Sequence, residues 1–173
     1  MAVLRNKLLN YVKKIDSDYI IFVDMDIRGP ISLDGVAHSF GTREKYNWDC
    51  VSAFGLTGTC LSWGHLYYYD FLACKDADGL FPCSNISEII QFFIKFRHSR
   101  GDELIKVRSG FAALAIYKTS SVKNVNYNGD PAICEHINLH ENMIKQGFDK
   151  IYINPNMIIL VGVQGYQNKL FSH

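Results

Sequence analysis

A chain of 173 residues, 48% hydrophobic and 20% charged, is long enough for one domain with a real core and too apolar for a disordered polymer. Its formal net charge of +1 offers no global field for nucleic acid, and no apolar run approaches the ~20 residues of a membrane-spanning helix. The five cysteines, Cys50, Cys60, Cys74, Cys83 and Cys134, are odd in number and lack C-x-x-C spacing. They predict reduced thiols rather than a zinc site or disulfide framework. With no signal-peptide core after Met1, the expectation is a cytoplasmic protein.

Leu4, Leu8, Tyr11, Val12 and Ile15 recur at helical spacing, with Arg5, Lys7, Asn10, Lys13 and Lys14 on other faces, so the chain opens with a surface helix. Tyr19–Val23 is rich in β-branched and aromatic residues and reads as a buried strand. Gly29-Pro30 then breaks regular structure, and a turn or short helix begins near Ser32. Trp48 to Phe54 reads as a second strand, Gly55 to Gly58 as a turn, and Leu66 to Phe71 as an extended aromatic segment. Asn85 with Glu88 approximates a capping box; the helix it opens carries Ile86, Ile89, Ile90 and Phe93 on one face and ends near Gly101. Asn85-Ile86-Ser87 spells a glycosylation sequon, but those residues make a better helix start.

Leu104–Arg108 and Phe111–Tyr117 read as strands separated by Ser109-Gly110. A helix from Pro131 or Ile133 to Gln146, with Ile133, Ile137, His140 and Ile144 on its inner stripe, stops at Gly147. Short strands near Ile151–Ile153 and Met157–Val163 precede a polar tail. This alternation predicts a single α/β domain with some antiparallel pairing in its middle.

The chemistry concentrates at Asp24-Met25-Asp26. Residues two apart on a strand share a side, so two carboxylates converge just beyond the strand's carboxyl end, where open α/β sheets bind ligands. They repel each other unless a cation or shared proton intervenes. A hard divalent ion such as Mg²⁺ or Mn²⁺ suits them; the plainer alternative is a pair of solvated turn aspartates.

With Ser109-Gly110-Phe111 before an apolar strand and Cys134-Glu135-His136 opening the last helix, the order of motifs resembles that of GT-A-fold glycosyltransferases. The stretches WDCVSAFG, YYYDFLACK, SGFAALAIYK and CEHINLHENMIKQGFDKIYINP look similar to compact transferases of large DNA viruses and to some fungal surface-polysaccharide transferases. The resemblance runs from Leu4 to Pro155. It implies a mixed sheet flanked by helices, Mn²⁺ or Mg²⁺, a nucleotide-sugar donor (UDP-sugar as default) and a glycan or other hydroxyl acceptor. A virus-encoded protein would act in the host cytoplasm. The resemblance also implies that Asp26 holds the metal, with Asp24 supporting it or reaching the ribose, and that Glu135 is the base of an inverting transfer. Glu135 is alternatively a favourable charge in a helix's first turn.

His173 is the candidate for the family's late histidine ligand. Ser109 and Gly110 would let the backbone approach the donor, or form only a turn. Asp49, Asp70 and His136 are acceptor-side candidates, against plainer roles as turn caps and a hydrogen-bonded histidine. The family usually spends several tens of residues ahead of its Asp-x-Asp, whereas 23 precede Asp24. The expectation is a domain lacking part of the N-terminal nucleotide-binding half, through an internal start or reduction. Two other readings stand beside this one. A non-catalytic sugar- or nucleotide-binding remnant is the first. A haloacid-dehalogenase-like phosphatase with Asp24 as nucleophile is the second, against which stand Ile27-Arg28 and the lack of a late acidic pair.

Overall fold

A computed structural model describes residues 2–59, 66–79, 86–127 and 133–164; the expectations that rest on Asn85, Pro131 and His173 fall outside them. Helix α1 (Ala2–Val12) leads into strand β1 (Tyr19–Val23), followed by α2 (Leu33–Gly41) and the single turn α3 (Arg43–Tyr46). Strand β2 (Cys50–Thr59), the short β3 (Tyr67–Tyr68), a 3₁₀ turn (Phe71–Ala73) and β4 (Lys75–Asp76) come next. The remainder is α4 (Ile86–Lys95), β5 (Ile105–Ser109), β6 (Leu114–Lys118), α5 (Thr119–Val122), α6 (Glu135–Lys145) and β7 (Ile151–Gln164).

The strands form one mixed sheet in the order β1-β6-β2-β7-β5-β4, with β3 added to β2. β2 and β7 are parallel, whereas β6 runs antiparallel to both β1 and β2. The carboxyl ends of β1, β2 and β7 therefore share one edge. One face is covered by α1 and α6 over Leu9, Ile20, Tyr117, Leu139, Met143 and Ile153; the other packs Trp48, Val51, Ile116, Met157 and Ile159 beneath α2. The fold class is thus mixed α/β, an open sheet flanked by helices. No helix of the described residues is long and apolar enough to cross a membrane. Cys50 and Cys134 are free thiols.

Several elements depart from the sequence reading. The Gly55–Gly58 stretch continues β2 instead of turning. Its backbone is held by β7 on one side and β3 on the other, and tertiary pairing overrides the weak strand preference of glycine. At Gly55 an added Cβ would lie 3.0 Å from the Ala112 Cβ and 3.2 Å from the Tyr69 Cβ, so the missing side chain admits two neighbouring segments. The two short strands expected after Lys150 are one strand, β7, with an irregularity where Ala53 pairs with Asn154 but Phe54 pairs with Ile158. Pro155 has no N–H to give a ladder, and the Asn156 N–H turns back 2.9 Å to Asn154 Oδ1.

Helix α4 stops at Lys95, short of Gly101. Strand β6 starts at Leu114, not Phe111, because Ala112 and Ala113 take positive φ (48° and 68°) and turn the chain. The last helix ends as expected before Gly147 at φ 88°. Ile137 and His140 lie on its buried side, but Ile133 precedes the helix and is 36% exposed.

The largest correction concerns α1. The stripe Leu4, Leu8, Tyr11 and Ile15 is turned to solvent, 48–68% exposed. Of the expected stripe only Val12 packs on the core, beside Ala2 and the fully buried Leu9. The helix takes this roll because Arg5 and Asn6 hold partners inside: Asn6 Nδ2 donates to Tyr127 O at 2.8 Å, and the Tyr127 N–H donates to Asn6 Oδ1 at 2.8 Å.

Candidate functional site

Strand β1 ends at Val23, and the Asp24 N–H donates to Ala113 O at 2.9 Å. This ties the first carboxylate of the Asp-x-Asp to the turn entering β6. Arg5, reaching in from α1, donates from Nη2 to Asp24 Oδ1 at 3.1 Å and from Nε to Glu135 Oε1 at 3.0 Å. One guanidinium thus joins the end of β1 to the first residue of α6. It lies 5.3 Å from the Phe111 ring centroid and 6.0 Å from that of Tyr127, two cation–π contacts that fix its plane.

Asp70 belongs to the same cluster. It sits at φ 64° ahead of the 3₁₀ turn, and the Ala112 N–H donates to its carboxylate. Four described residues other than glycine have positive φ, and Asp70, Ala112 and Ala113 are three of them. Left-handed backbone in such residues costs about 1–3 kcal/mol each and gathers where a site must be held in shape.

Charge is strongly unbalanced at this edge. Burial raises the Asp70 carboxyl to about 6, with Asp24 and then Glu135 adding to the shift. Burial also raises Asp24; Arg5 works against the shift, while Asp26 and Glu135 reinforce it. Tyr69 is raised by burial and by Asp70, Asp26 and Asp24. Burial opposes the charge of Arg5, yet Asp24, Tyr127 and Glu135 outweigh it and raise the guanidinium. Three carboxylates, Asp24, Glu135 and Asp70, therefore share one arginine, and Asp26 adds its charge beside Asp24.

The structure brings together Asp24, Asp26, Asp70 and Glu135, four of the residues singled out in the sequence. Among the described residues, Asp49, Ser109, Gly110 and His136 are not part of that cluster of carboxylates. Asp49 precedes β2 at the opposite edge of the sheet, where its Oδ2 accepts the Lys150 N–H (3.1 Å) and its Oδ1 faces Lys118 Nζ (3.4 Å). It anchors two chain segments there. Ser109 is wholly buried and donates from Oγ to Ala73 O at 2.8 Å. With that proton committed, His140 Nδ1–H must donate to Ser109 Oγ (2.8 Å), leaving His140 Nε2 to accept from the Tyr117 hydroxyl (3.0 Å). Burial pushes His140 down to about 3, so it is neutral.

Gly110 is a packing glycine, since a Cβ there would lie 2.9 Å from Ile153 Cδ1 and Cγ1. His136 is 2% exposed and stacks on Phe111 at 3.6 Å and 13°. Neither of its ring nitrogens has a hydrogen-bond partner, and burial, Arg5 and His140 hold it well below the usual histidine range. It is a neutral plate under the site, sheltered from any acceptor.

Sequence reasoning gives no role to Arg5, and gives Tyr69 only a share, with Tyr67 and Tyr68, in the aromatic segment beside Asp70 that could line an acceptor sugar. Arg5 carried one usable signal: it lies four residues from Leu9 and seven from Val12, on the face away from the Leu4–Leu8–Tyr11–Ile15 stripe. Nothing in the spacing of Tyr69 sets it apart from its aromatic neighbours.

Among the described residues no group of three or more His, Cys, Asp or Glu side chains is poised to hold a metal ion. The donor chemistry nevertheless suits one. Asp24 and Asp26 are hard oxygen ligands, and the excess of anions over Arg5 is what a divalent cation relieves. Models of known protein families show no match to this chain, and none of the curated proteins matches it.

Proposed function

We propose that the protein is a metal-dependent glycosyltransferase, moving a sugar from a nucleotide-sugar donor, a UDP-sugar by default, to a hydroxyl of a glycan acceptor. The observation that carries this reading is the gathering of Asp24, Asp70 and Glu135 about Arg5, with Asp26 beside Asp24, at the carboxyl edge of the sheet. Asp26 and Asp24 would hold Mn²⁺ or Mg²⁺. When bound, that ion supplies positive charge to the departing diphosphate.

The remaining roles fall to the chain itself. Glu135, its orientation fixed by Arg5, accepts the proton of the attacking hydroxyl. Asp70 lies beside this path with a carboxyl near 6 and accepts a hydrogen bond from the sugar acceptor. Arg5 keeps the Asp24 and Glu135 carboxylates from repelling each other before donor arrives. Tyr69 and the turn Ala112–Ala113 wall the site on the side of β2.

The test is release of UDP from a panel of UDP-sugars with Mn²⁺, with saccharide acceptors present. Wild type turns over at least one donor, and Asp26→Asn abolishes the metal dependence. Glu135→Gln lowers kcat by about 10²–10⁴-fold, the usual worth of a positioned base. Turnover that is indifferent to both substitutions overturns the proposal. Hydrolysis of a phosphomonoester that disappears in Asp24→Asn would redirect it to phosphatase chemistry.

The Arg5 bridge also favours a second reading, a non-catalytic sugar- or nucleotide-binding protein, because the carboxylates assigned to the metal and to proton transfer, Asp24 and Glu135, are both already engaged by that one guanidinium. Binding of UDP and Mn²⁺ without turnover of any donor separates this reading from the first.

A further inference from the structure

At the opposite edge of the sheet, the loop after α1, the start of β1, α3, the end of β6 and α5 enclose a cleft of about 520 Å³. Strand β1 separates it from the acidic edge by five residues, roughly 17 Å of extended chain. Its volume falls within the roughly 300–1,000 Å³ typical of small-molecule sites.

Four cations line this cleft, Lys13, Arg43, Lys118 and Lys123, against two acids, Asp16 and Asp18. Neither acid is in an ion pair with them. Lys118 is spoken for by Asn47 Oδ1 (2.9 Å) and Asp49 Oδ1 (3.4 Å). The other three cations have no anionic partner among the described residues. Lys13 Nζ reaches only neutral acceptors, Val125 O at 2.7 Å and Asn126 Oδ1 at 3.0 Å, and burial lowers its pKa. Arg43 lies 5.2 Å from the Tyr19 ring centroid, a contact that orients its fork without neutralising it. The Ser17 and Thr119 hydroxyls on the wall are hydrogen-bonded to each other at 3.3 Å, which leaves one O–H to offer a ligand.

Lys13, Arg43 and Lys123, from three segments of the chain, outnumber the cleft's two acids and have no ion-pair partner of their own, which suits an anion presenting several oxygens. A single carboxylate would need one fork. A bare phosphate is small for the space. We propose that this cleft binds a phosphorylated small molecule, with Arg43 and Lys123 gripping the phosphate, Lys13 behind them, and the remaining volume taken by the organic part.

The experiment is calorimetric titration of the full chain at low salt with EDTA present, so that the carboxylate edge recruits no ion. The probes are glucose 6-phosphate, inorganic phosphate and glucose. Wild type binds the ester and ignores glucose, the affinity weakens steeply with added salt, and Arg43→Gln with Lys123→Gln weakens it at least tenfold. Equal binding of inorganic phosphate, lost in the same variant, keeps the oxyanion site and names the free anion as its occupant. No binding of either phosphate in the millimolar range, or equal binding by wild type and variant, overturns the proposal. Should the double variant fail to fold, Lys123→Gln alone serves, since that side chain is exposed on the surface. Asp26→Asn leaves this binding unchanged, so failure here and failure of the transferase reading are separately visible.

Discussion

Asp70 shows how much of a residue's chemistry comes from its surroundings. In the sequence it is one aspartate after three tyrosines; in the fold it is mostly buried and strained, beside two other carboxylates. Its carboxyl is raised to about 6, above the ordinary ~4 of an unfolded chain. The sign follows directly. A raised acid favours the folded state while protonated, so its contribution is intact below about pH 4 and lost as pH climbs through about 6. In metal-free protein, Asp70→Asn removes this penalty and keeps an oxygen for the Ala112 N–H. We expect the variant to gain about 2 kcal/mol over wild type at pH 7 and little at pH 4, read from urea midpoints. A constant difference across that range would mean that Asp70 does not titrate there. The carboxylates were legible in the sequence because strand-end spacing announces Asp24 and Asp26. Arg5 was not, because its importance arises from contacts 19 and 130 residues away.

Helix α1 carries the lesson at the scale of the element. Periodicity correctly announced a helix, but it reports only that apolar residues share a face, not which way the face points. Two half-buried polar residues decided that, since Arg5 and Asn6 find their partners inside and a polar group left unsatisfied there costs more than an exposed leucine. Adjacent leucines therefore have opposite worth. Leu9→Ala empties a fully buried position and should cost about 2–5 kcal/mol. Leu8→Ala, at a position 61% exposed, should change stability by about 0.5 kcal/mol or less. Denaturant unfolding of the two variants decides it; similar losses would restore the roll that the apolar stripe suggested. Elsewhere, strand existence was readable and strand length was not. β2 and β7 extend through glycines and a proline because each supports the other across ten paired positions, a long-range effect that no local window contains.

At the scale of the whole molecule, the near-neutral sum of 18 basic and 17 acidic residues conceals a polar arrangement. Carboxylates crowd the edge where β1 ends, and cations outnumber acids four to two in the cleft where β1 begins. Composition cannot register this separation, since it counts charges without placing them. The acidic edge holds the folded protein in a state of internal repulsion that a bound cation relieves, so ligand binding should appear as global stabilisation. A ligand that binds only the native state adds about 2.7 kcal/mol at one hundred times its Kd. For a chain of this length each kcal/mol moves Tm by roughly 2–4 °C. Saturating Mn²⁺ with UDP should therefore raise the Tm of wild type by about 5–10 °C, with Mn²⁺ alone giving less because the diphosphate completes the ion's oxygen shell. Asp26→Asn should lose most of that rise while its unliganded Tm stays near wild type, since Asp26 is exposed. An equal rise in both proteins, measured by calorimetric scanning, would place the ion elsewhere and remove Asp26 from its binding.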